Sequence, residues 1–362
     1  MLNLIFDKID RQIELSKENL IFLLNLKEKD DIKLLLNKAY EIKSAEVGKK
    51  VYYRGIIEFS NVCTKDCFYC GIRKSNTETE RFMLDEESIL NSAKFAHENR
   101  YGSIVLQSGE QSNPTFISFV ENILKKIKQL SNNKLGITLS VGEQSDETYK
   151  RWFKAGAHRY LLRIETSNKK LYQKLHPESH DFNCRVNCLK LLRKNGYQVG
   201  TGVMIKLPYQ TIEQLADDII FFKNMDIDMI GMGPYLPHKN SLLTKLFPDA
   251  PNMSKLLELS LKMIAVTRIH LRNVNIAATT ALQAIHPKGR EQGLLAGANI
   301  IMPNLTDTEY RAPYQLYDNK PCIDENSKMC SACLSNRING IGETIGLDEW
   351  GDSPHFFNKR RI

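Results

Sequence analysis

The chain of 362 residues holds no apolar run approaching the ~18–20 residues that a membrane-spanning helix needs. Its first stretch, Met1-Leu2-Asn3-Leu4-Ile5-Phe6-Asp7-Lys8, meets an acid at once and lacks the apolar segment of an export leader. Glycine (20) and proline (12) are scattered, and 42% hydrophobic with 25% charged residues is ordinary for a packed protein. Collagen-like and disordered classes are therefore excluded. Charge of one sign is scarcely in excess: 50 Lys and Arg stand against 42 Asp and Glu, a net +8. The basic clusters Lys125-Lys126-Ile127-Lys128, Lys169-Lys170 and Lys359-Arg360-Arg361 are short and far apart. They read as solvated surface rather than as a nucleic-acid footprint, which should cluster on one face. No H-x-x-E-H or H-E-x-x-H pattern occurs among the 8 His, so zinc hydrolysis lacks support. These absences predict a soluble cytoplasmic protein with neither membrane nor nucleic acid as partner.

What is present is an uneven set of cysteines: Cys63, Cys67, Cys70, Cys184, Cys188, Cys322, Cys330 and Cys333. Even parity would suit disulfides in a small secreted domain, but this chain is long and shows no export signal. Two tight groups of three point instead to thiolate ligation of iron or zinc. Cys63-x3-Cys67-x2-Cys70, with Tyr69 before the last thiol, can reach three irons of a 4Fe–4S cube and leaves the fourth open. An incomplete ligand set implies an exchangeable occupant. A structural zinc knuckle is the alternative, and it would want a fourth Cys or His close by. Cys322, Cys330 and Cys333 form a second candidate site, for a 2Fe–2S or 4Fe–4S cluster. Cys184 and Cys188, four apart on a helix, read as buried core thiols, with a metal pair as the alternative.

Residues 1–48 carry apolar positions at helical spacing. From Val51 the pattern turns β-branched and aromatic, and strand-like runs then alternate with amphipathic segments. Eight strands are predicted: Val51–Phe59, Ser103–Leu106, Leu135–Ser140, Tyr160–Ile164, Gln198–Ile205, Met229–Gly231, Asn275–Ala277 and Asn299–Met302. Helices are predicted over Glu86–Glu98, Pro114–Leu130, Asp146–Ala155, Val186–Lys194, Ile212–Asn224, Ser254–His270 and Gly289–Gly293. The fold class is thus α/β, a (β/α)8 TIM barrel with its site at the strand C-terminal ends; an open doubly wound sheet is the alternative. Three regions are expected: a helical extension over 1–48, the barrel over 49–310 and a cysteine-containing segment over 311–362.

The cysteine loop directly after the first strand resembles the signature of the radical S-adenosylmethionine (SAM) superfamily. That resemblance implies that SAM chelates the open iron and is cleaved by one electron to a 5′-deoxyadenosyl radical. Leu106-Gln107-Ser108-Gly109-Glu110, after the second strand, looks like the superfamily's Glu-ended turn for the SAM amine, which assigns Ser108, Gly109 and Glu110 to the cofactor together with Tyr69. Glu165 and Arg185 suit the ribose hydroxyls and the carboxylate of SAM, the latter because a guanidinium is bidentate to carboxylates. Read from the sequence alone, Glu165 could equally neighbour a helix cap and Arg185 lie on a solvated helix face.

Longer strings narrow the resemblance to the biotin-synthase-like branch and, within it, to the HydE family of FeFe-hydrogenase maturases. They are Tyr53–Asn61, Ile104–Glu110, Arg159–Asn168, Ala277–Ala281 and Tyr314–Tyr317. The resemblance implies a closed barrel around a large cavity that is polar at its base, with Thr138, Ser140, Arg163, Thr279, Thr280, Tyr314 and Tyr317 on matching positions. Arg163, Thr279, Thr280 and Tyr314 are its candidate catalytic residues. A layer of satisfied polar core residues is the other reading of this set. The implied substrate is small, anionic and amino-acid-like or organometallic: an Fe(CO)2(CN)(cysteine) synthon on its way to the dithiolate-bridged di-iron subcluster of the hydrogenase. Other maturases and an electron donor such as ferredoxin or flavodoxin are the implied protein partners. The chain departs from the family pattern at Ile164, where His is common, and at Lys206 and Tyr209 in Lys206-Leu207-Pro208-Tyr209-Gln210-Thr211, where glycines are usual. A methylornithine-synthase-like mutase and, in another class, a non-catalytic iron–sulfur carrier or RNA-binding module are the rival readings.

Overall fold

A computed structural model describes residues 1–249, 251–324 and 327–359, with backbone alone for 327–332 and 359. Eight parallel strands follow one another around a barrel in chain order: Lys50–Ser60, Ser103–Ser108, Gly136–Ser140, Arg159–Leu161, Gln198–Thr201, Met229–Ile230, Asn275–Ile276 and Ile300–Ile301. The eighth pairs back onto the first (Tyr52↔Ile300). The seam between seventh and eighth closes through the bridge Ala277↔Ile300 and the bonds Asn299 N–H to Ile276 O and Ala278 N–H to Ile300 O, both 2.9 Å. Closure decides between the two architectures that periodicity left open. Strands buried on both faces need continuous apolar runs, and Ile104-Val105-Leu106 and Ile137 with Leu139 supply them.

Helices Glu86–Glu98, Pro114–Leu130 and Ile212–Asn224 fall on their expected bounds. Their starts are fixed by Asp85, Asn113 and Thr211, whose side chains accept the N–H three residues on. Strand four is shorter than expected and ends at Leu161. Beyond it the chain stays paired with strand five through Leu162 N–H to Gly200 O (2.9 Å) and Glu165 N–H to Gly202 O (3.0 Å), with Glu165 at φ +63°. Strand five is interrupted after Thr201, and Met204–Ile205 resumes alongside Gly233–Pro234 as a short upper rim.

Helices Leu2–Asp10, Lys17–Leu24 and Lys29–Glu46 precede the barrel and share one continuous apolar core with it. The end of the chain works at both ends of the barrel. At the bottom, Thr344–Ile345 pairs with the start of strand one. There Gly351 O accepts from Arg54 (3.0 Å) and Asn275 (2.8 Å), and Asp352 pairs with Arg159 at 2.5 Å. At the mouth, a strap of residues 312–320 crosses the opening. Gly71 N–H donates to Leu316 O (3.0 Å), Asn61 Nδ2 to Pro313 O (2.9 Å) and Asp318 N–H to Pro237 O (3.0 Å).

Candidate active site at the barrel mouth

The cysteine loop leaves strand one at Ser60 and is folded back on itself by one guanidinium. Arg81 donates to the carbonyls of Asn61 (2.8 Å), Ile72 (2.8 Å), Arg73 (2.6 Å) and Asn76 (3.0 Å). Five fixed N–H donors make Arg suited to gathering carbonyls that have no secondary-structure partner. Asn61 adds bonds to Glu80 O (2.7 Å) and from Phe82 N–H (2.8 Å). Cys63, Cys67 and Cys70 are all free thiols held in this loop. Burial pushes all three thiols up, Cys67 to about 12 even with Arg185 opposing. Three thiols crowded where a bare thiolate is disfavoured fit a multivalent iron cluster, whose positive charge stabilises the deprotonated form.

The second-strand turn is locked onto this loop. Glu110 N–H donates to Cys63 Sγ at 3.3 Å, and Glu110 O accepts from Thr64 N–H (2.9 Å) and its hydroxyl (3.0 Å). Gly109 is required here: a Cβ would lie 2.3 Å from Val62 O and 2.8 Å from the Cys63 Cβ. Ser108 is buried, with its hydroxyl on Gly109 O (2.7 Å).

Around the Glu110 carboxylate stands a four-charge network whose other acid, Glu143, and base, Lys65, sequence reasoning missed. Arg185 reaches Glu143 at 2.6 Å and Glu110 at 3.5 Å, while Lys65 reaches Glu143 at 2.8 Å and Glu110 at 3.2 Å. Burial raises the Glu110 carboxyl against the pull of Arg185; at Glu143 Arg185 and Lys65 overcome burial and hold the carboxyl low. Gly142, at φ +82°, lets this network form, because a Cβ there would meet the Glu110 side chain at 2.1 Å. Arg185 Nη1 also donates to Arg163 O (3.2 Å), and the Arg163 guanidinium pairs with Glu165 at 2.9 Å. Burial raises the Glu165 carboxyl. Thus Glu110, Glu165, Arg163 and Arg185 converge beside the thiols.

The remaining cavity positions lie deeper or across the mouth. Thr138 is buried on an inward face and accepts from Arg159 Nε at 3.0 Å; Ser140, two residues on, is half-buried. The cavity at the Thr138 level is about 20 Å³, because Arg54, Met229 and Met302 fill much of the barrel there. The large volume that the resemblance implies is not found at this level. Thr279 Oγ1 donates to Met232 O (3.4 Å) and Thr280 Oγ1 accepts from Arg290 Nη2 (3.4 Å). Tyr314 is buried, its hydroxyl taking the Gln107 amide at 3.1 Å, and Tyr317 is half-buried. Arg290 was not foreseen. It is buried, and its Nε and Nη1 have no hydrogen-bond partner among the described residues. An open cleft of about 600 Å³, lined by Glu78, Glu80, His238 and Gln315, lies beside the strap.

His176 and His180 were also missed, although His176-x3-His180 has ligand-like spacing. One donor atom each from Cys67, His176 and His180 falls within 4.8 Å of the others. Tyr69 does not stand alone beside Cys70: its hydroxyl bonds His176 Nε2 at 3.1 Å. Burial keeps both imidazoles neutral, with His176 lowered to about 3 and His180 to about 4.

The core reading of the Cys184/Cys188 pair needs correction. Cys188 is buried, but Cys184 is exposed in the first turn of helix Phe182–Lys194, its Sγ 3.8 Å from Glu143. The helix begins at Phe182 rather than Val186, so that turn stands at the rim rather than in the core. Of the late cysteines, Cys322 is half-buried at φ +63° and Cys333 is exposed; the Cys330 side chain lies outside the described residues.

A closed parallel barrel with three thiols on the loop after strand one and a Glu-ended turn after strand two defines a radical SAM enzyme. The model of the Radical SAM superfamily matches residues 57–222. Along 357 residues, 98% of both chains, the sequence is 42% identical to the FeFe hydrogenase maturase subunit HydE of Thermotoga maritima, and it belongs to the HydE family. A 3-methylornithine synthase of Methanosarcina acetivorans is 26% identical over 338 residues, covering 93% of this chain and 92% of that one. In fold, the maturase HydG from Carboxydothermus hydrogenoformans superposes with a TM-score of 0.80 at 21% identity, covering 96% of this chain and 79% of that one.

Proposed function

We propose that the chain works in assembly of the FeFe-hydrogenase active-site cluster, taking a small anionic, cysteine-bearing iron synthon as substrate. The observation that carries the cofactor part is the bond from Glu110 N–H to Cys63 Sγ, 3.3 Å, which joins the thiol loop to the Ser108-Gly109-Glu110 turn. Cys63, Cys67 and Cys70 would hold the 4Fe–4S cluster. Glu110 would take the SAM amine, Arg185 its carboxylate and Glu165 its ribose hydroxyls, with Tyr69 and Ser108 completing the wall. Bound together, cluster and SAM supply one-electron cleavage of a sulfonium bond; the chain binds, orients and excludes water.

Thr138, Ser140, Arg163, Thr279, Thr280, Tyr314 and Tyr317 are read as the substrate residues. Arg290 supports an anionic substrate: it is buried, its Nε and Nη1 have no hydrogen-bond partner among the described residues, and such a guanidinium calls for a counter-charge. A peripheral second cluster on Cys322, Cys330 and Cys333, an electron donor of the ferredoxin or flavodoxin type, partner maturases and a cytoplasmic setting complete the reading. Among the described residues, no helix is long and apolar enough to cross a membrane.

The test has two stages. After anaerobic reconstitution, SAM and dithionite should yield 5′-deoxyadenosine from the wild type and none from Cys67→Ala; no product from the wild type would refute the cofactor reading. The protein should then restore hydrogenase activity in a maturation system lacking its own HydE. Failure there, with SAM cleavage intact, would turn the reading towards the methylornithine synthase relatives.

A further inference from the structure

The cysteine loop is strapped along its middle to residues 175–180, a contact that neither ligation nor SAM binding requires. Phe68 N–H donates to Leu175 O at 3.0 Å, and Asp66 N–H to His180 Nε2 at 3.3 Å. The His176 ring stacks on Tyr172 with centroids 3.9 Å apart and uses Nδ1 on Tyr172 O (2.8 Å). Its Nε2 is therefore the acceptor for the Tyr69 hydroxyl. For His180 the same bookkeeping runs the other way. Nε2 takes the Asp66 N–H, so the single proton of the neutral ring sits on Nδ1. That Nδ1 lies 4.0 Å from Cys67 Sγ.

We propose that His180 is a positioning residue that donates its Nδ1–H to the Cys67 thiolate and thereby sets the reduction potential of the cluster. It rests on the cluster reading above and adds to it a determinant of electron transfer. Hydrogen bonds to ligand sulfurs tune such clusters because the added electron increases the negative charge on sulfur. An N–H dipole aimed at Sγ favours the reduced state more than the oxidised one. Cys63 receives its N–H from the backbone of Glu110, which every residue at that position except proline would supply. Cys67 receives one from a side chain, which substitution can alter. The network around His180 also fixes the direction of the bond: Asp66 N–H holds the far side of the ring, and His176 lies against it with centroids 5.6 Å apart.

Wild type, His180→Phe and His180→Gln chains are reconstituted anaerobically, iron is counted, and the cluster is titrated by potentiometry followed by electron paramagnetic resonance, without SAM. The Phe ring keeps the volume and loses the donor. Its cluster should be about tenfold harder to reduce, a fall of about 59 mV for a one-electron couple. Gln keeps a donor for Sγ and an acceptor for Asp66 N–H, and its midpoint should stay near the wild type. A Phe variant with full iron and an unchanged midpoint overturns the proposal. Should that variant fail to take up iron, the wild type decides: with nitrogen-15 histidine, double resonance on the reduced cluster should show a weak nitrogen coupling, and its absence overturns the proposal. A wild type that binds no cluster refutes the functional reading itself, whereas a normal cluster without coupling or shift refutes only the role of His180.

Discussion

The Lys320 ammonium, on the strap across the barrel mouth, meets the Glu58 carboxylate on strand one at 2.6 and 2.7 Å. Both side chains are largely withdrawn from solvent, and Asn304 Nδ2 donates to the same carboxylate at 3.0 Å. Lys320 also donates to Tyr314 O at 3.1 Å, so this ion pair holds in place the segment that brings Tyr314 and Tyr317 over the cavity. Removing one partner leaves a buried charge at a cost of about 3–5 kcal/mol. We expect Lys320→Met to release that cost by opening the strap rather than by unfolding the barrel. Hydrogen exchange at the Asp318 amide and its strap neighbours should quicken while strands two and three stay protected. Adding Glu58→Gln should restore much of the protection. Unchanged exchange in the single variant would show that the strap does not depend on the pair.

A second expectation concerns the two positions where glycines are usual in the family. Lys206 (φ +68°) and Tyr209 (φ +65°) both hold the left-handed conformation, so the chain keeps the backbone of a glycine turn without its glycines. Gln210 holds it there: its Oε1 accepts from Lys206 N–H (2.7 Å) and Leu207 N–H (3.1 Å), and its Nε2 donates to Met204 O (3.0 Å). Lys206→Gly trades relief of strain for a looser unfolded chain and should change stability by no more than about 1 kcal/mol. Gln210→Ala removes three bonds at once and should cost about 2–3 kcal/mol. Urea unfolding midpoints of the two variants measure the contrast, and equal losses would contradict the assignment.

These residues show where the sequence is readable and where it is not. Strands such as Ser103–Ser108 were legible because burial on both faces demands a continuous apolar run, and the thiol loop because its chemistry lies within eight residues. Lys206 and Tyr209 looked like departures because a letter does not carry φ. Glu143 and Lys65 were missed because their meaning lies in Glu110 and Arg185, which only the closed barrel brings to them. Arg81 donates to four carbonyls, and carbonyls leave no mark in sequence. Gly351 and Asp352 at the barrel floor are joined to Arg54 and Arg159 from far along the chain, with no motif in between.

Arg81 carries its own prediction. Its four acceptors include the carbonyls on both sides of the Cys63–Cys70 segment, at Asn61 and at Ile72 and Arg73. Lysine can keep the charge but cannot reach four carbonyls from one planar group. Arg81→Lys should therefore fold with a normal barrel, as read by circular dichroism, yet retain less than about half of the wild-type iron after reconstitution, since several charge-assisted bonds of about 1.5–3 kcal/mol each are lost from the loop. Full iron in that variant would mean that the loop is held by its other contacts.

At the opposite end of the barrel, His158 gives a pH dependence with a definite sign. Its Nδ1 accepts Ile137 N–H (3.4 Å), so the neutral ring places its proton on Nε2, 3.3 Å from Asp352. Burial first, then the neighbouring Arg159 charge, lowers it from the ordinary 6.5 to about 4, with Lys128 acting in the same direction. A depressed histidine contributes stability that is fully present above about pH 6.5 and is lost as pH falls through about 4, because the unfolded chain binds the proton first. Asp352 follows at lower pH: despite burial, His158 and Arg159 hold its carboxyl below the usual range, so its contribution is lost only below about pH 4. The two windows are therefore adjacent, and only the upper one belongs to His158. Between pH 7 and pH 4.5 the wild type should lose up to about 3 kcal/mol through this ring, at 1.36 kcal/mol per unit. His180 and His270, each lowered to about 4, His176, lowered to about 3, and His238, lowered as well, all chiefly by burial, add parallel losses. His158→Gln should be less stable at pH 7 yet show a visibly shallower decline over that interval, leaving the share due to His176, His180, His238 and His270. Parallel stability curves for the two proteins would show that the proton is taken up elsewhere.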